Sequence, residues 1–203
     1  MEKDSIGGTM AERLKYGNTN TFYIPGTRGA LLVDTDYAGT LSRFYRAIKE
    51  SDIRVSDITF VLATHFHPDH MGLIPELTQL GVKLLLMDVQ KDSVHYSDPI
   101  FLRDGIPFTP VDESGAAVIS CEGSRKFLYD MGIRGEIVHT PSHSPDSVSL
   151  ILDDGDCFAG DLEPREYIEA YGENEPLKMD WENIISRGAK RIFFAHRPEC
   201  LIE

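Results

Sequence analysis

The stretch Thr64-His65-Phe66-His67-Pro68-Asp69-His70 decides how this chain is read. It follows the continuous apolar run over 58–63, a strand covered on both faces. In an extended loop, residues i and i+2 point the same way, so His65 and His67 can turn their imidazoles toward one point. Pro68 then opens a helix. Asp69 and His70 rotate away with it toward a second point, and an acid in a first helical turn is favoured by the dipole. Three histidines and an aspartate at this spacing make a metal-ligand pattern with donors enough for more than one ion.

Working outward, three more potential ligands stand at the ends of strand patterns. His143 lies in Thr140-Pro141-Ser142-His143-Ser144-Pro145, Asp161 ends Ala159-Gly160-Asp161, and His196 follows Ala195. Loops at one edge of a sheet are where such residues converge. The remaining pattern supplies the frame. Strands are expected over 19–24 and 30–34, joined by Pro25-Gly26-Thr27-Arg28-Gly29, and over 83–87, 117–120, 136–140, 147–152, 156–159 and 191–195. Leu41, Phe44, Tyr45 and Ile48 predict a helix with Thr40 as N-cap. Ile74, Leu77 and Leu80 predict a short one ending at Gly81, and Leu177, Trp181, Ile184 and Ile185 one ending at Gly188. The stretch 88–115, with three prolines, is too long for an ordinary connection and reads as a functional insertion or partly helical segment. These alternating runs predict an α/β (α+β) sandwich over a single domain, 1–203.

Composition bounds the function. The 203 residues are 41% hydrophobic, enough for a sizeable core. No apolar run approaches the roughly 20 residues that span a bilayer. MEKDSIGGTM carries acids and no apolar stretch, so it does not read as a secretory signal, and a cytoplasmic location is expected. Twenty basic against 33 acidic residues leave a net charge of −13, which disfavours a nucleic-acid partner and points to a small-molecule substrate. Cys121, Cys157 and Cys200 are odd in number and form no CxxC, which fits a reducing compartment.

The ordered set His65-x-His67-x-Asp69-His70, His143, Asp161 and His196 resembles the metallo-β-lactamase superfamily. So do the strand end Leu32-Val33-Asp34 and the segment TPSHSPDSVSL over 140–150. The resemblance implies a four-layer αββα sandwich of two mixed sheets flanked by helices. It implies His65, His67 and His143 on one metal, Asp69, His70 and His196 on the other, Asp161 bridging, and Asp34 buttressing the histidine loop. It also implies two divalent ions, zinc first, with iron or manganese as alternatives on the same nitrogen and oxygen donors. A metal-bridging hydroxide would then hydrolyse an ester, lactone, thioester or phosphoester, and Asp69 could also serve as a base. An iron-dependent, sulfur dioxygenase-like redox enzyme and a nuclease or phosphodiesterase are the alternatives on this fold. Asp161 stands where the antibiotic-degrading group has Cys, Asp146 replaces a common Gly, and Asp36 lies two residues beyond Asp34 where many members have Gly next to the acid.

Tyr96, Arg165, Tyr167 and Tyr171 fall in the irregular stretches 88–115 and 162–179 and are candidates for contacting substrate. His95 and His139 read as packed residues, Trp181 as core, and Cys157 as a small buried hydrophobe. Glu163, Glu166, Glu169, Glu173 and Glu175 read as a solvated face.

Overall fold

Period-two alternation sorts the strands into a sandwich. In β3 (Gly29–Val33) Leu31 and Val33 face one core while Leu32 faces another; in β5 (Lys83–Met87) Leu85 and Met87 oppose Leu84 and Leu86 in the same way. A computed structural model describes residues 11–170 and 172–202. The stretch 1–10, read above for a secretory signal, and Tyr171 lie outside the described residues.

The first sheet runs β1 (Glu12–Lys15), β2 (Asn20–Gly26), β3, β4 (Ile58–Leu62), β5 and β6 (Ala117–Ile119). Its first three strands are antiparallel and β3 to β6 parallel. The second sheet runs β11 (Cys200–Leu201), β10 (Arg191–Phe193), β9 (Asp156–Phe158), β8 (Val148–Leu152) and β7 (Gly135–His139), with only β9 and β10 parallel.

Between the sheets, Phe22, Ile24, Leu31, Leu62 and Leu85 meet Ile137, Leu150, Leu152 and Phe158. Each such side chain contributes about 1.5–3 kcal/mol on burial. The outer face of the first sheet is covered by α1 (Leu41–Glu50) and α3 (Ile74–Gln79) through Phe44, Ile48, Ile74 and Leu77. The outer face of the second is covered by α7 (Glu175–Ser186) through Leu177, Trp181 and Ile184. The result is the αββα sandwich.

Local chemistry departs from expectation in places. Thr40 sits at the N-cap of α1, but its hydroxyl donates to Tyr37 O and caps nothing. The segment 88–115 contains a 3₁₀ turn over Asp88–Ser93 and helix α4 (Asp98–Asp104). Helix α5 (Cys121–Met131), N-capped by Ser120 through Gly123 N–H, was not anticipated; it sends Leu128 and Met131 into the core between the sheets. Two further short helices are α2 (Pro68–Met71) and α6 (Tyr167–Ala170). Among the described residues no helix is long and apolar enough to cross a membrane.

Candidate metal centre

The sandwich brings the carboxyl ends of five strands to one rim. Asp34 follows β3, His65 and His67 follow β4, and α2 carries Asp69 and His70; His143 follows β7, Asp161 follows β9 and His196 follows β10. The donor atoms form three overlapping triads: His65, His67 and His143; His65, His70 and Asp161; Asp69, His70 and His196, with the atoms of each triad within 4.8 Å of one another. His65 Nε2 stands 2.9 Å from His67 Nδ1, which is 3.2 Å from His143 Nε2. His196 Nε2 is 3.0 Å from Asp69 Oδ2. Asp161 lies between the two groups. Its Oδ2 is 3.5 Å from His70 Nε2 and 3.6 Å from His143 Nε2, and its Oδ1 is 3.3 Å from His196 Nε2. All seven predicted residues are therefore in one cluster.

Asp34 sets the orientation of two rings. It is fully buried at φ +58°, a left-handed conformation that aspartate tolerates better than most side chains. Thr64 N–H donates to its Oδ1 at 2.6 Å and the Thr64 hydroxyl to its Oδ2 at 2.9 Å. His70 Nδ1–H donates to Oδ2 at 3.0 Å. With its proton committed to Asp34, Thr64 Oγ accepts from His65 Nδ1–H at 3.2 Å. These bonds fix both histidines as Nδ1–H tautomers, so each presents an Nε2 lone pair to the cluster.

The chain also clamps the loops that carry the ligands. Asp146 takes Phe66 N–H on Oδ2 at 2.7 Å and the Ser144 hydroxyl on Oδ1 at 2.8 Å, tying the His143 loop to the peptide between His65 and His67. The fully buried Gln90 donates to Ala63 O at 2.9 Å and to Asp146 O at 3.2 Å, and Ser97 donates to Phe66 O at 2.6 Å. Asp36 receives Asn18 N–H at 2.9 Å, and Asn18 O faces His196 Nδ1 at 3.2 Å. Asp180 of α7 receives Ser142 N–H at 2.7 Å. Gly160 at φ +56° lets the chain turn into Asp161 where a Cβ would run into the Thr64 side chain. Asp146 and Asp36 are two of the three departures noted in the sequence. Gln90, Ser97 and Asp180 carried no sequence signal.

Burial and mutual repulsion among the imidazoles push His65 well below the ordinary histidine range and lower His67 as well, leaving both neutral. Burial works to lower His70, but the Asp34 and Asp161 carboxylates raise it above the ordinary histidine range, and an ion on Nε2 would take the place of the proton they favour. The hydrogen bond to Asp69 raises His196. Burial works to raise Asp69 and Asp161, yet the bond to His196 for Asp69 and the close His70 ring for Asp161, together with the surrounding imidazoles, hold both below the ordinary carboxylate range.

The donor set fits divalent ions on two observations. His70 Nε2 is buried without a hydrogen-bond partner among the described residues, its other nitrogen being committed to Asp34. The ring nitrogens of His65, His67 and His143 also converge too closely to carry separate protons and call for one shared cation.

Of the four residues considered for substrate contact, Tyr96 stands at the rim, 55% exposed, its ring centroid 5.2 Å from that of His67. Arg165 lines a different cavity, and Tyr167 packs partly buried against the core under α7. His95 pairs with Asp98 at 2.9 Å on the surface, and His139 donates from Nε2 to Pro145 O at 2.8 Å; neither joins the triads. Trp181 and Cys157 are core, and the five glutamates are exposed.

Comparison with known proteins bears on the same residues. The sequence profile of the metallo-beta-lactamase superfamily matches residues 14–196. An atrochrysone carboxyl ACP thioesterase of Pseudocercospora fijiensis is 29% identical over 156 residues, 76% of this chain and 40% of its own length. Among solved structures, TTHA1623 in a di-iron-bound form superposes with a TM-score of 0.72 at 20% identity, over 95% of this chain and 94% of that one. FIM-1 of Pseudomonas aeruginosa in a mono-zinc form gives 0.64 at 20% identity, over 94% of this chain and 84% of that one. The chain spans about half the length of the curated relatives it matches, 58%, 40% and 43% of the first three. A match that begins inside β1 and ends at His196 takes in every strand but β11 and every clustered side chain, and on that ground the chain belongs to the metallo-β-lactamase superfamily.

Proposed function

We propose that this protein is a metal-dependent hydrolase of a small-molecule ester, lactone, thioester or phosphoester, with two divalent ions held in the rim cluster. The observation that carries the reading is the convergence of seven donors on one point, with His70 Nε2 left orphaned by its bond to Asp34. His65, His67 and His143 would hold one ion, Asp69, His70 and His196 the other, and Asp161 both. Zinc is the first choice of metal, with iron and manganese compatible with the same donors. Ions so placed would lower the pKa of a water toward 7 and polarise the substrate oxygen.

The chain's own residues do the rest. Asp34 holds two imidazoles in the right tautomer. Asp69, kept anionic, directs Oδ2 to His196 and Oδ1 to within 3.9 Å of His70, and is the group we assign to orienting the attacking water and taking its proton. Tyr96, at the open side above His67, is assigned to hydrogen-bonding a substrate oxygen. The thioesterase name of the Pseudocercospora relative supports thioesters as the first class to try. The charge of −13 supports a small molecule over a polynucleotide.

The test is elemental analysis of metal-replete protein beside a panel of ester, lactone, thioester and phosphodiester substrates. Two ions per chain and hydrolysis of at least one class are expected. A content that never exceeds one ion refutes the dinuclear centre. Oxygen consumption with a thiol substrate and no hydrolysis refutes the hydrolase and leaves the iron-dependent redox alternative, for which the di-iron neighbour is the favouring observation.

A further inference from the structure

A second cavity, of about 460 Å³, opens on the outer side of the second sheet. Its wall is Trp181 of α7 and Phe194, both at least 96% buried, with Leu201 at the edge, 75% exposed. Trp181 is fixed there: its Nε1–H donates to Glu163 O at 2.9 Å. Arg165 and Arg197 line the same space.

Some arginines of this acidic chain are committed to carboxylates. Arg191 is bidentate on Asp156 at 2.8 and 2.6 Å, and Arg125 reaches both Glu136 and Asp153. Arg165 and Arg197, by contrast, form no ion pair among the described residues, although Glu166 lines the same cavity. The Arg197 guanidinium instead lies over the Phe194 ring, 5.7 Å from its centroid. An apolar wall beneath two uncommitted forked donors is the chemistry that recognises an anionic head on an apolar body. None of the seven clustered side chains lines this space, although Arg197 directly follows His196.

We propose that this cavity binds a small amphiphilic anion, its carboxylate or phosphate head on Arg165 and Arg197 and its apolar body against Trp181 and Phe194. The site does not depend on the hydrolase reading.

Trp181 is the only tryptophan of the chain, so its emission reports on the cavity directly. Octanoate and octyl phosphate are titrated against the protein with 1-octanol as the uncharged control, first metal-replete and then after chelation. A saturable emission change is expected with at least one of the two anions, with octanol about tenfold weaker or more. The tighter of the two anions identifies the head group. Arg165→Gln and Arg197→Gln should each weaken binding about tenfold, with partial recovery in the Lys variants. Both arginine side chains are exposed, and unchanged thermal unfolding verifies that the variants fold. Chelation should leave the affinity unaltered. The proposal is overturned by no saturable change with either anion, by octanol binding as tightly, by Gln variants that bind like wild type, or by binding lost on chelation, which would place the anion in the metal centre.

Discussion

Replacing Asp146 by Ala removes both acceptors that join the His143 loop to the peptide between His65 and His67. Phe66 N–H is buried and has no second acceptor among the described residues, so the substitution leaves it orphaned, at a cost of about 1–3 kcal/mol. Ser144 suffers less, because its hydroxyl keeps Ser147 Oγ at 2.8 Å. Against this, the folded state no longer buries a carboxylate, which returns part of the loss. The net expectation is about 2 kcal/mol, a shift of roughly thirtyfold in the folding equilibrium. Asp146→Asn keeps a carbonyl oxygen for Phe66 and should retain most of it. The first measurement is the urea midpoint of metal-free protein, at unchanged m-value. The second is metal affinity by chelator competition, which should fall about tenfold to a hundredfold in the Ala variant because His65, His67 and His143 lose their common brace. Stability within about 0.5 kcal/mol of wild type, with unaltered metal affinity, would refute the clamp.

Other perturbations follow from single contacts. His143→Ala should lower bound metal by about one ion per chain, while His95→Ala, which breaks only a surface pair with Asp98, should leave metal content intact; equal loss in both refutes the assignment. Phe158→Ala, which removes a ring 4.9 Å from Phe22 and 5.0 Å from Phe193, should cost about 3–5 kcal/mol in thermal or urea unfolding. Glu76 is half-buried with Oε2 unpartnered among the described residues, and burial pushes its carboxyl up. A raised carboxyl pKa means the folded state holds its proton longer, so this residue's contribution to stability is lost as pH rises through the window just above the ordinary carboxylate range. Glu76→Gln should therefore stabilise at neutral pH and give no advantage below pH 4; a constant difference across pH refutes it.

How much was legible beforehand depended on where the information resides. Strands 83–87 and 58–63 could be read because a run covered on both faces is apolar at nearly every position, Lys83 and Thr59 being the exceptions. Helix α5 escaped because its buried stripe passes through Ser124, which spends its hydroxyl on Cys121 O and accepts Ile137 N–H, so only Leu128 and Met131 are fully buried apolar residues on it. Strand β1 buries Leu14 alone, and β11 is two exposed residues. The seven donors were visible because each stands in the loop after a strand or in the first turn of a helix. Their supports were not. Gln90 is 56 residues from Asp146, and nothing local to either tells that they meet. Arg165 and Tyr167 shared the irregular stretch 162–179 with many polar residues, and only folding separates their surroundings from the rim.

The donors are divided between the two sheets. His65, His67, Asp69 and His70 leave the first, and His143, Asp161 and His196 leave the second. His67 and His143 are 76 residues apart, and neither half of the cluster is complete without the other. The centre is therefore a lock that only the finished sandwich can close. Secondary structure alone offers an ion no more than the local His65–His67 pair, and full capture must wait until the two layers have docked. Once closed, the lock works in reverse. Layers that share a ligand sphere cannot separate without breaking it, so an occupied centre would add its binding free energy to the cost of opening the sandwich.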